Sequence, residues 1–189
     1  MRIMKSLLII AVILTASAFT TPVKKTIDIT KSHITWKGTK ILGSHTGTIN
    51  LKEGYLEMEG DILQGGMFVV DMTSITVTGM EGKSKDKLEG HLKSDDFFGV
   101  KNYPTATLVI NKATKDGNTY DVVADITIKG ITQPINFELE MGTSAAIASL
   151  KIDRTEFGIR YGSGSFSDDL GDKAISDKFT LDVNLKFKK

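Results

Sequence analysis

FTLDVNLKFK, residues 179–188, decides the fold. Phe179, Leu181, Val183, Leu185 and Phe187 fall on one side of an extended chain, and Thr180, Asp182, Asn184, Lys186 and Lys188 on the other. Successive side chains of a strand point to opposite faces, so a period of two describes a strand with one buried and one wet face. The pattern recurs upstream. Tyr120, Val122, Ala124, Ile126 and Ile128 alternate with Thr119, Asp121, Asp125, Thr127 and Lys129, with Val123 as the apolar break. Ile135, Phe137, Leu139 and Met141 alternate with Asn136, Glu138 and Glu140. Ala106, Leu108 and Ile110 form another set, and Ala146, Ala148, Leu150 and Ile152 another. In the glycine-richer first half, the same period predicts strands over residues 33–41, 46–51, 55–63 and 66–77.

Turn signals separate these runs. Glu53-Gly54, Gln64-Gly65-Gly66, Asp116-Gly117-Asn118 and Lys129-Gly130 ahead of Gln133-Pro134 read as the links. Short links join antiparallel neighbours. Long one-faced strands joined in this way, eight or nine in all, predict an all-β fold: an antiparallel up-and-down barrel rather than a sandwich of short strands. One segment departs from the pattern: KLEGHLKSDDFFGVKNYPT, residues 87–105. Leu88, His91 and Leu92 share one face of a short helix, and Phe97, Phe98, Tyr103 and Pro104 follow as a bulky apolar cluster. A helix between the fourth and fifth strands reads as a cap on one end of the barrel. Gly90 inside it costs about 1 kcal/mol relative to alanine, which reads as close approach of the helix to a strand.

The N-terminus belongs to a different class of segment. Arg2 and Lys5 precede the apolar run LLIIAVIL, residues 7–14, which is too short to span a bilayer. Ala16-Ser17-Ala18 is a small-residue cleavage site. The expected organisation is a secretory signal peptide over residues 1–18 and one domain over residues 19–189. The chain carries 24 Lys and Arg against 23 Asp and Glu, and losing Arg2 and Lys5 turns the net charge from +1 to −1. Such a balance offers no basic field to hold nucleic acid. No second apolar run gives the mature chain a transmembrane segment. Cysteine is absent, which excludes thiol catalysis, zinc–thiolate sites and lipid attachment at the cleavage point. The expected location is the periplasm or the extracellular space.

Several motifs occur in order along the mature chain: TWKGTKILGSHTG (35–47), GMFVVDM (66–72), GHLKSDDFF (90–98), YPTA (103–106), TIKGITQPI (127–135), DRTEFGIRYGSGSF (153–166) and LGDKAISDKF (170–179). Together they resemble the YceI-like family. The resemblance implies a lipocalin-like barrel that is secreted or periplasmic and binds a long isoprenoid or similar amphiphilic lipid inside. It implies a carrier or store rather than an enzyme, without a cofactor.

An eight-stranded barrel is either filled by its side chains or holds one small ligand. In the second case Trp36, Phe68, Leu108, Ile126, Phe137 and Phe179 are the expected apolar contacts. Trp36, the sole tryptophan, doubles as a fluorescence reporter. His91 either donates to a ligand head group at the cavity mouth or ties the helix to the barrel. Arg154 and Arg160, beside Asp153 and Tyr161, either fork onto head-group oxygens or anchor the segment before the last strand. His33, His45 and His91 show no metal-ligand spacing, and Asp168, Asp169, Asp172 and Asp177 lack the spacing of a calcium loop. Ser163 and Ser165 have no His/Asp partner logic. The competing readings are a stress-linked interaction protein with a filled barrel, and an enzyme acting on an isoprenoid, for which no catalytic pair is present. A strand edge or the barrel mouth leaves room for a homodimer.

Overall fold

The computed structural model describes residues 21–167 and 169–188, so the expected signal peptide lies outside the described residues. Nine strands and one helix follow in order: β1 (Val23–Thr26), β2 (His33–Lys40), β3 (Ser44–Glu59), β4 (Ile62–Thr78), α1 (Gly82–Lys93), β5 (Thr105–Asp116), β6 (Thr119–Ile128), β7 (Ile131–Met141), β8 (Ala145–Asp153) and β9 (Ile175–Lys186). From β2 onward each strand pairs antiparallel with the next, and β9 pairs back onto β2. The result is the expected closed, up-and-down, eight-stranded barrel with one short helix. β1 adds no ninth position. It lies on the same flank of β3 as β2, with Val23 opposite Met58 and Ile34 opposite Ile49, and Ile27 bridges to Phe187. β1 and β2 are one broken strand.

The first half differs from its sequence reading. Glu53-Gly54 is not a turn but lies inside β3, and Gln64-Gly65-Gly66 lies inside β4. The hairpin between them turns at Gly60, where φ is +58°. The reason is a β-bulge. The β3–β4 register shifts between Leu51 and Glu53, so the inward series Gly47, Ile49, Leu51 continues as Gly54, Leu56, Met58. Two adjacent outward polar residues, Lys52 and Glu53, followed by glycine imitate a turn, and bulges of this kind bend and twist long strands. The glycines serve close approach. A Cβ on Gly54 would stand 2.8 Å from the Phe68 ring, and one on Gly66 2.8 Å from the Tyr55 carbonyl oxygen. A Cβ on Gly47 would fall 1.8 Å from the Thr76 carbonyl oxygen and 2.5 Å from the Trp36 ring. Across that gap the Trp36 indole N–H donates to the Thr76 carbonyl at 3.1 Å, tying β2 to β4 over β3.

The barrel ends differ. The hairpins β3–β4, β5–β6 and β7–β8 share one end, which is filled by the buried side chains of Leu56, Leu63, Tyr120 and Val122. There the Tyr120 hydroxyl donates to the Asp61 carbonyl at 2.9 Å. The other end carries the β2–β3 hairpin, α1, the Lys129-Gly130 turn and the connection over residues 154–174. α1 packs on β4: Leu92 is buried, and Glu89 accepts the Val77 amide at 2.8 Å. Phe97 and Phe98 follow, held by Lys129 Nζ, which donates to the Asp95 and Phe97 carbonyls at 2.6 and 2.9 Å. Gly90 is corrected: a Cβ there would meet nothing within 4 Å, so its place in the helix is not explained by close packing.

Arg154 is the most deeply buried charged side chain among the described residues, 1% exposed. Its Nε donates to the Ser176 carbonyl at 3.0 Å, Nη1 to Ile159 at 2.8 Å and Tyr161 at 2.9 Å, and Nη2 to Ile175 at 3.0 Å. Asp177 stands 3.6 Å from Nη2. The guanidinium thus fastens the loop after β8 onto the start of β9. The hydroxyls of Ser163 and Ser165, with Arg154, hold the Asp177 carboxyl below the usual carboxylate range.

Four outcomes follow for stability. Gly90→Ala should raise it by about 0.5–1 kcal/mol in denaturant titration, because helix propensity improves in open space. Gly47→Ala should lower it sharply, since rigid backbone stands where the methyl would go. Arg154→Met should cost about 3 kcal/mol, the order expected when a buried charge partner is removed, and should open residues 159–177 to proteolysis while the strand circular dichroism persists. Asp177 has a depressed pKa, so its contribution is complete above its ordinary pKa, near 4, and fades as pH falls further. The Tm of Asp177→Asn should fall less than wild type between about pH 5 and pH 2.

Candidate functional site

Between the packed end and the helix end the barrel encloses a cavity of about 170 Å³. All eight barrel strands contribute to its walls, from Ile34 and Trp36 on β2 to Leu181 and Val183 on β9. The alternation seen in the sequence is the cause: each strand turns its apolar series inward. Towards the packed end the walls reach Leu51, Leu139 and Leu185, and towards the helix they reach Leu92, Phe97 and Phe98. Thr107, Ser176 and Arg154 are the polar residues among the walls. The barrel is therefore filled at one end and open within at the other. An apolar cavity of about 150 Å³ can stay dry and accept a benzene-sized guest, so this volume is large enough for an apolar group.

Of the expected contacts, Trp36, Phe68, Leu108, Ile126, Phe137 and Phe179 all line this cavity. The polar candidates fare differently. Arg154 touches the wall, but four of its five N–H groups are spent on carbonyls and the remaining Nη2 proton faces Asp177. These contacts are those of an anchor for the loop ahead of β9. Arg160 is exposed and outside the cavity, its guanidinium 4.5 Å over the Phe166 ring. It stands on the surface of the loop, apart from the apolar contacts. His91 is also not part of the wall. Its ring stacks edge-on against Tyr161, centroids 4.3 Å apart, and against Phe97 at 5.6 Å. Its Nε2 is buried with no hydrogen-bond partner among the described residues. The helix face was read correctly, but the histidine packs behind the aromatic plug rather than into the cavity.

The plug is a chain of edge-to-face contacts: Phe97 to Phe98 at 5.1 Å, and Phe98 to Phe179 at 6.2 Å. The Arg154 guanidinium lies 5.6 Å from the Phe97 ring, so the loop anchor also supports the plug. Sequence reasoning missed Gly38. It occupies an inward position of β2, after Ile34 and Trp36, and lines the cavity; a Cβ there would meet nothing within 4 Å. The signal was present as a glycine in the apolar series of an alternating strand.

No group of three or more His, Asp or Glu side chains among the described residues is arranged to hold a metal ion. His33 is exposed on β2, and His45 lies within β3, where burial and then Lys40 lower its pKa. Asp169 and Asp172 are exposed, and Asp168 lies outside the described residues. No helix among the described residues is long and apolar enough to cross a membrane.

Known proteins of similar fold match this architecture over nearly their whole length. BcnA of Burkholderia cenocepacia superposes with a TM-score of 0.68 at 19% identity, covering 84% of this chain and 98% of that one. A polyisoprenoid binding domain from Saccharophagus degradans, implicated in plant cell wall breakdown, superposes at 0.63 and 18% identity, covering 86% and 97%. In sequence, Protein YceI of Escherichia coli is 37% identical over 51 residues, a stretch that spans 27% of this chain and 27% of that relative. Residues 26–187, which run from the end of β1 to the last residue of the closing β-bridge, match the YceI-like domain as a whole. A barrel, a plug and a match of that extent place this chain in the family of YceI-like domain proteins.

Proposed function

We propose that this protein binds a long isoprenoid or similar amphiphilic lipid by its apolar chain and carries or stores it in an aqueous compartment. The observation that carries this reading is the interior cavity, lined by apolar side chains from every barrel strand and bordered at the helix end by Phe97 and Phe98. The contacts are Trp36, Phe68, Leu108, Ile126, Phe137 and Phe179. The driving force is burial, about 0.8 kcal/mol for each CH₂ taken out of water. Ten such groups supply about 8 kcal/mol before ordering costs. The polar end of the ligand stays in water, since Arg154 has no donor to offer it.

Three further facts support the reading. A solved relative of the same fold is described as a polyisoprenoid binding domain. The leader-like residues 1–18 fit export to the periplasm or beyond. The cavity walls bring together no nucleophile with a base and no acid–base pair, which favours a binder over a catalyst. The cavity also weighs against the filled-barrel interaction protein.

Lipid extraction and native mass spectrometry of the purified full-length protein test the proposal, with a co-purifying apolar chain expected. Titration with geranylgeraniol should change Trp36 emission. Gly38→Phe should weaken that binding at least ten-fold while leaving the strand circular dichroism intact, because the ring enters open cavity space without backbone strain. A protein that yields no lipid and ignores geranylgeraniol would sink the proposal.

A further inference from the structure

The cavity and its closures present a problem of size and access. Pockets that enclose drug-sized ligands run to about 300–1,000 Å³, whereas this cavity measures about 170 Å³. A long chain needs a way in and room beyond this volume. The helix end is also tied down: Lys129 holds the plug by two carbonyls, Arg154 clamps the loop onto β9, and the Ile41 amide donates to the Ala174 carbonyl at 3.4 Å.

The wall itself is weak in one place. β7 and β8 pair only through Leu139–Met141 and Ala146–Ala148. Continuing that register would set Glu138 opposite Ser149 and Phe137 opposite Leu150, yet none of these positions pairs. On its other flank β7 is laddered to β6 from Ile131 to Glu140, and β8 to β9 from Ala145 to Asp153. The sheet is continuous on both sides and parts along this line. Across it stands one hydrogen bond near the helix end, from Gln133 Nε2 to the Glu156 carbonyl at 3.3 Å. Phe137 and Leu150, the inward residues that would face each other, both line the cavity. Outside, Glu138 and Ser149 line a surface cleft, and Ala148 and Val183 belong to the walls of both cleft and cavity. Cleft and cavity therefore share wall residues at the paired Ala148 and Val183, next to this seam.

We propose that the unpaired seam between β7 and β8 is a lateral portal: an apolar chain enters the barrel there, and the length that exceeds the cavity lies in it. Opening the seam breaks no ladder hydrogen bonds, whereas opening the helix end breaks those of Lys129 and Arg154. The inference rests on the lipid-binding reading.

The chain has no cysteine, so engineered thiols are unambiguous. Glu138→Cys with Ser149→Cys places a disulfide, or a short bis-maleimide bridge, across the seam. Ile41→Cys with Ala174→Cys does the same at the helix end. Loading of geranylgeraniol, followed by Trp36 emission in stopped flow, should slow at least ten-fold in the seam-locked protein. Reduction of the disulfide should restore the rate, and the helix-end lock should leave it unchanged. Wild-type loading with the seam locked, or slowing by the helix-end lock instead, overturns the portal while leaving lipid binding intact. No geranylgeraniol binding by the unlocked protein overturns both. In the unmodified protein, alternate amides of residues 131–138 and 149–152 should exchange faster than the amides of the β5–β6 ladder; uniform protection would equally overturn the portal.

Discussion

Closing a sheet of long strands into an eight-position barrel is the constraint on which the rest of this structure depends. Closure leaves little free edge, but it demands strong curvature, and strands of sixteen and seventeen residues such as β3 and β4 do not curve that far without interruption. The bulges in this pair supply the bend. Each shifts the side-chain parity, so the apolar series must shift with it, from odd to even positions along β3. The inward glycines follow from the same crowding. Trp36 covers Gly47 and reaches over β3 to Thr76, making one side chain brace three strands.

The polar chemistry of the interior is spent on holding the helix end shut. Arg154 gathers carbonyls from both sides of the long loop between β8 and β9, and Lys129 gathers two from the segment after α1. Arg154 satisfies backbone groups that would otherwise be buried without partners, as irregular connections leave them and strands do not. The aromatic plug sits between the two clamps. What is left to the cavity is almost wholly apolar, and an apolar cavity selects its guest by shape and by removal from water rather than by charge.

The barrel's ladders run full length between β6 and β7 and between β8 and β9, and stop short between β7 and β8. Under the proposed function, a wall that shields a chain must also admit it. The short β7–β8 ladder lies between two full-length ladders, beside Phe137 and Leu150, which line the cavity.

The second half of the barrel was legible in the sequence because its strands are regular: alternation at residues 119–129 and 179–187 names the inward face directly, and Gly117 and Gly130 mark real hairpins. The cavity's apolar contacts followed from the same series. The first half misled at Glu53-Gly54 and Gln64-Gly65-Gly66, since a bulge and a turn share the same local signature of polar residues and glycine. Only long-range pairing distinguishes them. The roles of Arg154, Arg160 and His91 were equally beyond local pattern. Whether a guanidinium faces a ligand or four carbonyls depends on residues twenty positions away, brought alongside by the closing strand. Periodicity, a property of each strand alone, thus determined the fold class and the apolar lining. Tertiary structure decided what the polar residues touch, where the interior is filled and where the wall parts, because those depend on distances between segments that the chain order does not carry.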